Sequence, residues 1–224
     1  MLRSAYNALR RTPGYALACI AVLALGIGAN TAIFSLVYTV VLQPLPYPES
    51  DRLVMLWEGF PNMPAPLNDH LAVHRLAYEA WKLETQSFTS IGAFHETRLS
   101  EGGLDRPRVI TTEQVSANLL PLLGAQARVG RLFRADEETP TADRVAMISE
   151  AYFEKRLASD PAALGKTLTL SGTDYTVIGV LPRRFRLPAT FGGENRSDPD
   201  VFIPLSRLWT RPELDNQTFL SVAG

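Results

Sequence analysis

From Gly14 to Leu42 the chain carries no charged residue, and its polar interruptions are mild: Asn30, Thr31, Ser35 and Thr39. As a helix rising 1.5 Å per residue, such a stretch covers on the order of 40 Å, more than the ~30 Å of a bilayer's hydrocarbon core. A soluble core helix of that length would carry charge on its solvent side. The sequence therefore predicts a single transmembrane helix over 14–42, preceded by a short segment over 1–13 and followed by a soluble domain over 43–224.

Processing signals fit the apolar run poorly. A secretory h-region is about 7–15 residues, roughly half of this run, and no small-x-small site closes a shorter one. Arg10-Arg11 is followed by Thr-Pro-Gly where an export signal would carry apolar residues. Ala16-Leu17-Ala18-Cys19 has too few apolar residues before it for a lipoprotein site. Cys19, the one cysteine, reads as a small residue facing lipid or a neighbouring helix, and no intramolecular disulfide is possible.

The flanks orient the span. Arg3, Arg10 and Arg11 precede it, and no Lys or Arg follows until Arg52. The positive-inside rule puts the N-terminus in the cytoplasm and residues beyond about 43 outside. Leu2, Ala5, Tyr6 and Leu9 share one face of a short amphipathic helix over 2–11 suited to the inner membrane surface, which Pro13-Gly14 breaks. In the span, Ala24, Gly26, Gly28 and Ala32 form a small-residue patch. It serves close helix packing, or is simply tolerated there.

Balanced charge, 22 Lys+Arg against 23 Asp+Glu, argues against nucleic acid as a partner. Gln43-Pro44-Leu45-Pro46-Tyr47-Pro48 is a stiff linker. Beyond it, short elements of both kinds alternate. Strands are predicted at Leu53–Trp57, Ser90–Leu99, Arg108–Val115, Arg144–Ile148, Lys166–Leu170, Tyr175–Val180, Val201–Pro204 and Thr218–Val222. The turn Glu101-Gly102-Gly103 joins one hairpin and Ser171 to Asp174 another. Helices are expected from an Asn68 or Asp69 cap to Thr85, over Ala117–Leu123 with Gly124 as its stop, and over Glu150–Leu157. This order predicts an α+β domain.

No catalytic constellation is found, and no catalytic, cofactor-binding or metal-binding residue is assigned. Gly165-Lys166-Thr167 resembles the end of a phosphate loop, but Asp160 stands where its first glycine would be, and a helix leads into a strand. His70 and His74 have a metal-like spacing, yet Leu71 stands where a zinc protease has its glutamate. His74 lies on the apolar face with Leu71, Tyr78 and Trp81 and reads as a satisfied, half-buried histidine. His95-Glu96 falls in a predicted strand and matches no catalytic motif. Asp136-Glu137-Glu138 reads as a solvated acidic loop rather than a calcium site. Asn195-Arg196-Ser197 and Asn216-Gln217-Thr218 are chance glycosylation matches.

Leu25-Gly26-Ile27-Gly28-Ala29-Asn30-Thr31-Ala32-Ile33-Phe34-Ser35, running on to the linker Leu42 to Pro48, resembles the first helix and exit linker of FtsX/MacB-type ABC transporter permeases. Val115 to Gly124, Gly130-Arg131-Leu132-Phe133, and Leu164 to Leu168 through Val177 to Pro182 resemble the family's periplasmic core domain, as does Ala8 to Gly14 the N-terminus. The resemblance implies a mixed α/β periplasmic core with two lobes, in a permease of the bacterial inner membrane. It also implies a permease homodimer, a separate cytoplasmic ABC ATPase that hydrolyses ATP, and a periplasmic adaptor or substrate. Such permeases carry at least three more spans after this domain, so the sequence reads as an N-terminal piece that stops inside its returning strand. A stand-alone anchored sensor or binding module is the other reading of the same chain.

Overall fold

The computed structural model describes residues 13–38, 47–60, 62, 64, 71–103, 106–188, 198–205 and 218–224. The chain divides into two compact units, Met1–Pro46 and Tyr47–Gly224.

In the first unit, Pro13–Val37 is an unbroken helix (α1) of 25 residues, about 37 Å long at the α-helical rise. Its large apolar side chains are exposed all round, among them Leu17, Leu25, Ile27 and Phe34. A helix apolar on every side belongs in lipid or in a large core. Thr31 tolerates that setting by donating its hydroxyl back to the Ile27 carbonyl at 2.8 Å. Pro13 opens this helix, at a position where its missing N–H is one that a first turn leaves unbonded anyway. The amphipathic helix expected over 2–11 and the end of the span at 39–42 lie outside the described residues.

The second unit is built on one ten-stranded sheet. Its strands are β1 (Met55–Leu56), β2 (Val73–His74), β3 (Gly92–Glu101), β4 (Arg108–Val115), β5 (Val129–Gly130), β6 (Val145–Ser149), β7 (Thr167–Leu170), β8 (Thr173–Leu181), β9 (Val201–Pro204) and β10 (Thr218–Ala223). Three helices join it: α2 (Arg75–Glu84), α3 (Leu119–Leu122) and α4 (Glu150–Leu157). The main order is β1-β10-β3-β4-β9-β6-β8-β5, with β7 bonded to both β8 and β3. β4 with β9 and β6 with β8 are the parallel pairs; the others are antiparallel. The mixture is the expected α+β arrangement.

The pairings contain a closed circuit: β3–β4–β9–β6–β8–β7 and back to β3. Six strands thus wrap a small barrel. Its core draws Ile110 from β4, Ile148 from β6, Leu170 from β7, Val177 from β8 and Ile203 from β9, with Leu99 of β3 packed against them and Tyr152 and Phe153 entering from α4. The closing seam is short. It consists of the Glu101–Leu170 pair, Gly102 N–H to the Thr169 carbonyl (2.8 Å) and Ser171 N–H to the Ser100 carbonyl (2.7 Å). Two further cores flank it. Phe94, Val115, Leu119, Leu120, Met147 and Phe202 form one, and Tyr78, Ala93, Leu205, Leu220 and Val222 form the other. Each fully buried Leu, Ile or Phe contributes about 1.5–3 kcal/mol over its exposed state.

Local chemistry explains most boundaries. Ser149 caps α4 by accepting from the Tyr152 N–H at 3.2 Å, and Ala158 ends it in the left-handed region. In the β7–β8 hairpin, Ser171 and Gly172 both have positive φ, 47° and 77°. That is a two-residue turn of the primed kind, so Thr173 and Asp174 belong to β8 and not to the expected longer turn. The largest departure is α2. The sequence predicted a helix from Asn68 or Asp69, but it begins at Arg75, because Val73 and His74 pair with Leu220 and Thr218 of β10. Val73 is fully buried, so a sheet contact from a distant segment overrides the helical spacing of Leu71, His74 and Tyr78. The cap residues themselves lie outside the described residues.

Candidate functional site

The residues singled out for chemistry do not converge. His74 Nδ1 lies 2.5 Å from Glu58 Oε2, and its backbone N–H donates to the same oxygen at 3.1 Å. That pairing holds the start of α2 against the bridge between Glu58 and Leu71. His70 lies outside the described residues, as do Asn195 and Asn216. His95 sits on β3 opposite Gln114. Lys166 Nζ reaches Asp160 Oδ2 at 3.3 Å, and Asp160 also accepts from the Ala162 N–H at 2.9 Å. That backbone bond, with Lys166, holds the Asp160 carboxyl below its ordinary value. Lys166 thus closes a tight turn ahead of β7, and its surroundings are not those of a phosphate loop. Among the described residues no group of three or more His, Cys, Asp or Glu is placed to hold a metal ion.

The acidic run Asp136-Glu137-Glu138 is not a solvated loop, contrary to the expectation. Glu137 takes two bonds from the Arg131 guanidinium, 2.9 and 2.6 Å, and one from the Arg134 N–H at 2.8 Å. Burial pushes its carboxyl up, but these bonds outweigh it and hold the group below its ordinary value. Glu138 accepts from the Ala117 N–H at 3.1 Å and faces Lys82 at 3.8 Å. Both carboxylates are largely buried and brace the segment ahead of α3. Unpaired charge could not be left there.

Two arrangements were not visible in the sequence. In the barrel wall, the Tyr152 hydroxyl donates to Glu101 Oε1 at 2.5 Å, with Glu101 only 7% exposed. Among the described residues Glu101 Oε2 has no hydrogen-bond partner. Burial, then this bond, raises the Tyr152 phenol well above its ordinary value. On the surface, Arg128 pairs with Glu150, tying α4 to the residue ahead of β5, and Arg183 pairs with Glu154, tying α4 to the segment after β8.

The other arrangement is where the linker enters. Pro48 rests on Gly124, the residue that ends α3 with φ +68°. A Cβ there would stand 2.2 Å from Pro48 Cγ. Close by, Val54 and Gly224 exchange both backbone hydrogen bonds, 2.9 and 3.1 Å, so the first and last strands meet at one place. A cleft of about 560 Å³ opens between them, walled by Leu53, Val54, Phe88, Leu122 and the hydroxyls of Ser87 and Thr89. Its lining is half apolar and contains no nucleophile–base pair.

A lipid-compatible helix, a mixed sheet domain carrying an inner barrel, and ion pairs spent on bracing define a membrane-anchored α+β protein. Comparison narrows the class. The profile of the MacB-like periplasmic core domain matches residues 16–223, and the chain belongs to that family. This is the periplasmic part of ABC transporter permeases, as the sequence motifs suggested. Among solved structures the fold is similar to three domains. One is the extracellular domain of the noncanonic ABC-type transporter YknZ from Gram-positive bacteria, with TM-score 0.51, 17% identity, and coverage of 76% of this chain and 80% of that one. Another is the periplasmic region of MacB from Actinobacillus actinomycetemcomitans, with TM-score 0.54, 12% identity, and coverage of 76% and 72%. The third is a domain of a permease protein from Porphyromonas gingivalis, with TM-score 0.54, 17% identity, and coverage of 79% and 73%. No curated protein sequence matches.

Proposed function

We propose that the chain is the N-terminal portion of an ABC transporter permease subunit, in which residues 14–42 span the inner membrane and residues 43–224 form the periplasmic domain. ATP bound and hydrolysed by a separate cytoplasmic subunit moves the span, and the domain converts that movement into export or into force on a periplasmic partner. The observation that carries this reading is the family match over residues 16–223, which runs through the apolar helix and the sheet domain in one register. Arg3, Arg10 and Arg11 before the span support a cytoplasmic N-terminus by the positive-inside rule. The balanced net charge of −1 fits a protein rather than a nucleic-acid partner. Two copies of the permease pair in the membrane on this reading.

The test is cross-linking in native membranes of the protein tagged at its N-terminus. An ATP-hydrolysing subunit should be recovered, and protease cleavage in residues 43–48 should change between ATP-bound and nucleotide-free membranes. Recovery of no ATPase, with cleavage indifferent to nucleotide, would refute the reading.

The cleft of about 560 Å³ favours one other reading, a stand-alone anchored sensor that binds a small amphipathic ligand. A thermal-shift screen on the full chain distinguishes the two, since a binder gains stability with ligand.

A further inference from the structure

We propose that the tip of the β7–β8 hairpin, Thr169–Asp174, is a flap that opens and closes the barrel while the rest of the sheet stays folded. The flap belongs to the sheet domain alone and works the same under either function above.

Three observations carry it. First, the closing joint is the thinnest of the circuit. β3 and β7 share a single residue pair, Glu101–Leu170, where every other joint has two or more. Three hydrogen bonds hold it. Gly102 N–H donates to the Thr169 carbonyl (2.8 Å), Ser171 N–H to the Ser100 carbonyl (2.7 Å) and Ser100 N–H to the Ser171 hydroxyl (3.1 Å).

Second, the tip overhangs its base. β8 pairs with β6 only from Thr176 onward, so Thr173, Asp174 and Tyr175 project past β6. Among the described residues, β3 is the strand that meets the tip from outside the hairpin. The base is fixed: Thr176 N–H donates to the Arg144 carbonyl (2.8 Å), Val177 N–H to the Lys166 carbonyl (3.0 Å) and Gly165 N–H to the Val177 carbonyl (2.8 Å). The tip is clamped across itself, because the Thr169 hydroxyl donates to Asp174 Oδ1 at 2.7 Å. It therefore swings as one piece, bending where β8 leaves β6.

Third, closure carries an opposing cost. Leu170 is the one buried side chain of the tip and favours the closed form. Its partner across the seam, Glu101, is buried with an Oε2 that has no hydrogen-bond partner among the described residues. Moving Leu170 aside lets water reach that oxygen, and hydration recovers what an unsatisfied buried acceptor costs. One leucine and three replaceable hydrogen bonds are set against one dry carboxylate oxygen. Such a local opening lies well below the cost of unfolding the domain. Open, the flap leaves Ser100 and Gly102 as a bare edge of β3.

The experiment is hydrogen exchange of the full chain in detergent micelles, resolved to single amides by mass spectrometry with electron-transfer fragmentation. The amides of Ser100 and Gly102 on β3 and of Ser171 on the flap should share one opening constant. Corrected for intrinsic rates, they should exchange at least about tenfold faster than Val177 at the base. Ser171→Gly sharpens the test. It removes the hydroxyl that accepts from Ser100, yet it suits the φ of 47° at that position better than serine does. A hairpin turn that only shapes the chain would keep or gain protection. A flap held by the seam should lose it at Gly102, which bonds to Thr169 and not to Ser171, by roughly 2- to 12-fold, the worth of one hydrogen bond. Val177 should not change. The proposal is overturned if the three seam amides are as protected as Val177, or if Ser171 exchanges fast while Gly102 does not, which is fraying of the turn. It is overturned too if Ser171→Gly leaves Gly102 unchanged or speeds Val177 equally. No ATPase or ligand takes part, so failure here leaves both functional readings to their own tests.

Discussion

Replacing Tyr152 by phenylalanine should destabilise the sheet domain far more than the loss of one oxygen suggests. The hydroxyl donates to Glu101 Oε1, and the other carboxylate oxygen has no partner among the described residues. Glu101 is 7% exposed and Tyr152 3%, so water does not replace the lost donor. A hydrogen bond to a charged group is worth about 1.5–3 kcal/mol, and stranding a buried acceptor costs the upper part of that range. For a domain of this size, 1 kcal/mol shifts the midpoint by roughly 2–4 °C, so Tyr152→Phe should melt about 4–10 °C lower. The assay is thermal unfolding of the full chain in detergent, followed by circular dichroism. Two companion variants make it decisive. Glu101→Gln removes the charge and should cost less, and Tyr152→Phe/Glu101→Gln should cost clearly less than the sum of the two singles, because the partners share one interaction. Additive losses, or a Tyr152→Phe protein within 1 °C of the parent, would refute the reasoning. The bond also has a pH signature. The Tyr152 phenol is held above its unfolded value, so the folded chain keeps a proton that the unfolded chain has released. Its contribution is complete below about pH 10, the unfolded tyrosine value, and declines as pH rises further. Tyr152→Phe should flatten part of that alkaline decline, the remainder coming from Tyr78, which burial raises in the same direction.

Gly92→Ala should cost about 1–3 kcal/mol, since the new methyl would stand 2.8–2.9 Å from Leu119 atoms including its Cα; denaturant titration measures it, and an unchanged midpoint would refute the clash. Glu137 is held below its unfolded value, so its contribution is present above the ordinary glutamate range and is lost as pH falls through the folded value. Arg131→Met should make that acid loss shallower, as melting curves between pH 6 and 3 would show. Ile27→Lys, near the middle of α1, should disfavour membrane insertion by about 2.5–3.5 kcal/mol, read as a fall in the membrane-integrated fraction after alkaline extraction.

Most elements of the sheet domain were legible because their signals are local. Glu150–Leu157 is bounded by Ser149 at one end and an αL residue at the other, and the helix has those limits. Gly124 marks the end of α3 by the backbone freedom that only glycine supplies cheaply. What the sequence could not show is long-range. β2 exists only because β10 arrives from about 145 residues away to pair with it, and nothing near Val73 announces that. Val129–Gly130 reads as loop, yet it pairs with Val180 and Gly179. The barrel seam, the Tyr152–Glu101 bond and the Pro48 seat each join segments that are unremarkable by themselves. The acidic run at 136–138 misled in part for the same reason: the partners of Glu138, Lys82 and the Ala117 N–H, lie on other parts of the chain, while those of Glu137, Arg131 and the Arg134 N–H, are local.

The placement of β10 between β1 and β3 bears on how the protein is made. β3 leaves the ribosome long before its neighbour on that side exists. Translation proceeds at about 5–20 residues per second, so the ~120 residues separating the two strands take roughly 6–25 s to appear. For that interval Gly92, Ala93 and Phe94 present an open strand edge beside an unfilled apolar pocket, on a chain whose N-terminal helix is already being handed to the membrane. A nascent domain of this design depends on something to shield that edge until the last strand arrives. Its yield in cells should therefore respond to chaperones more than its finished stability would suggest.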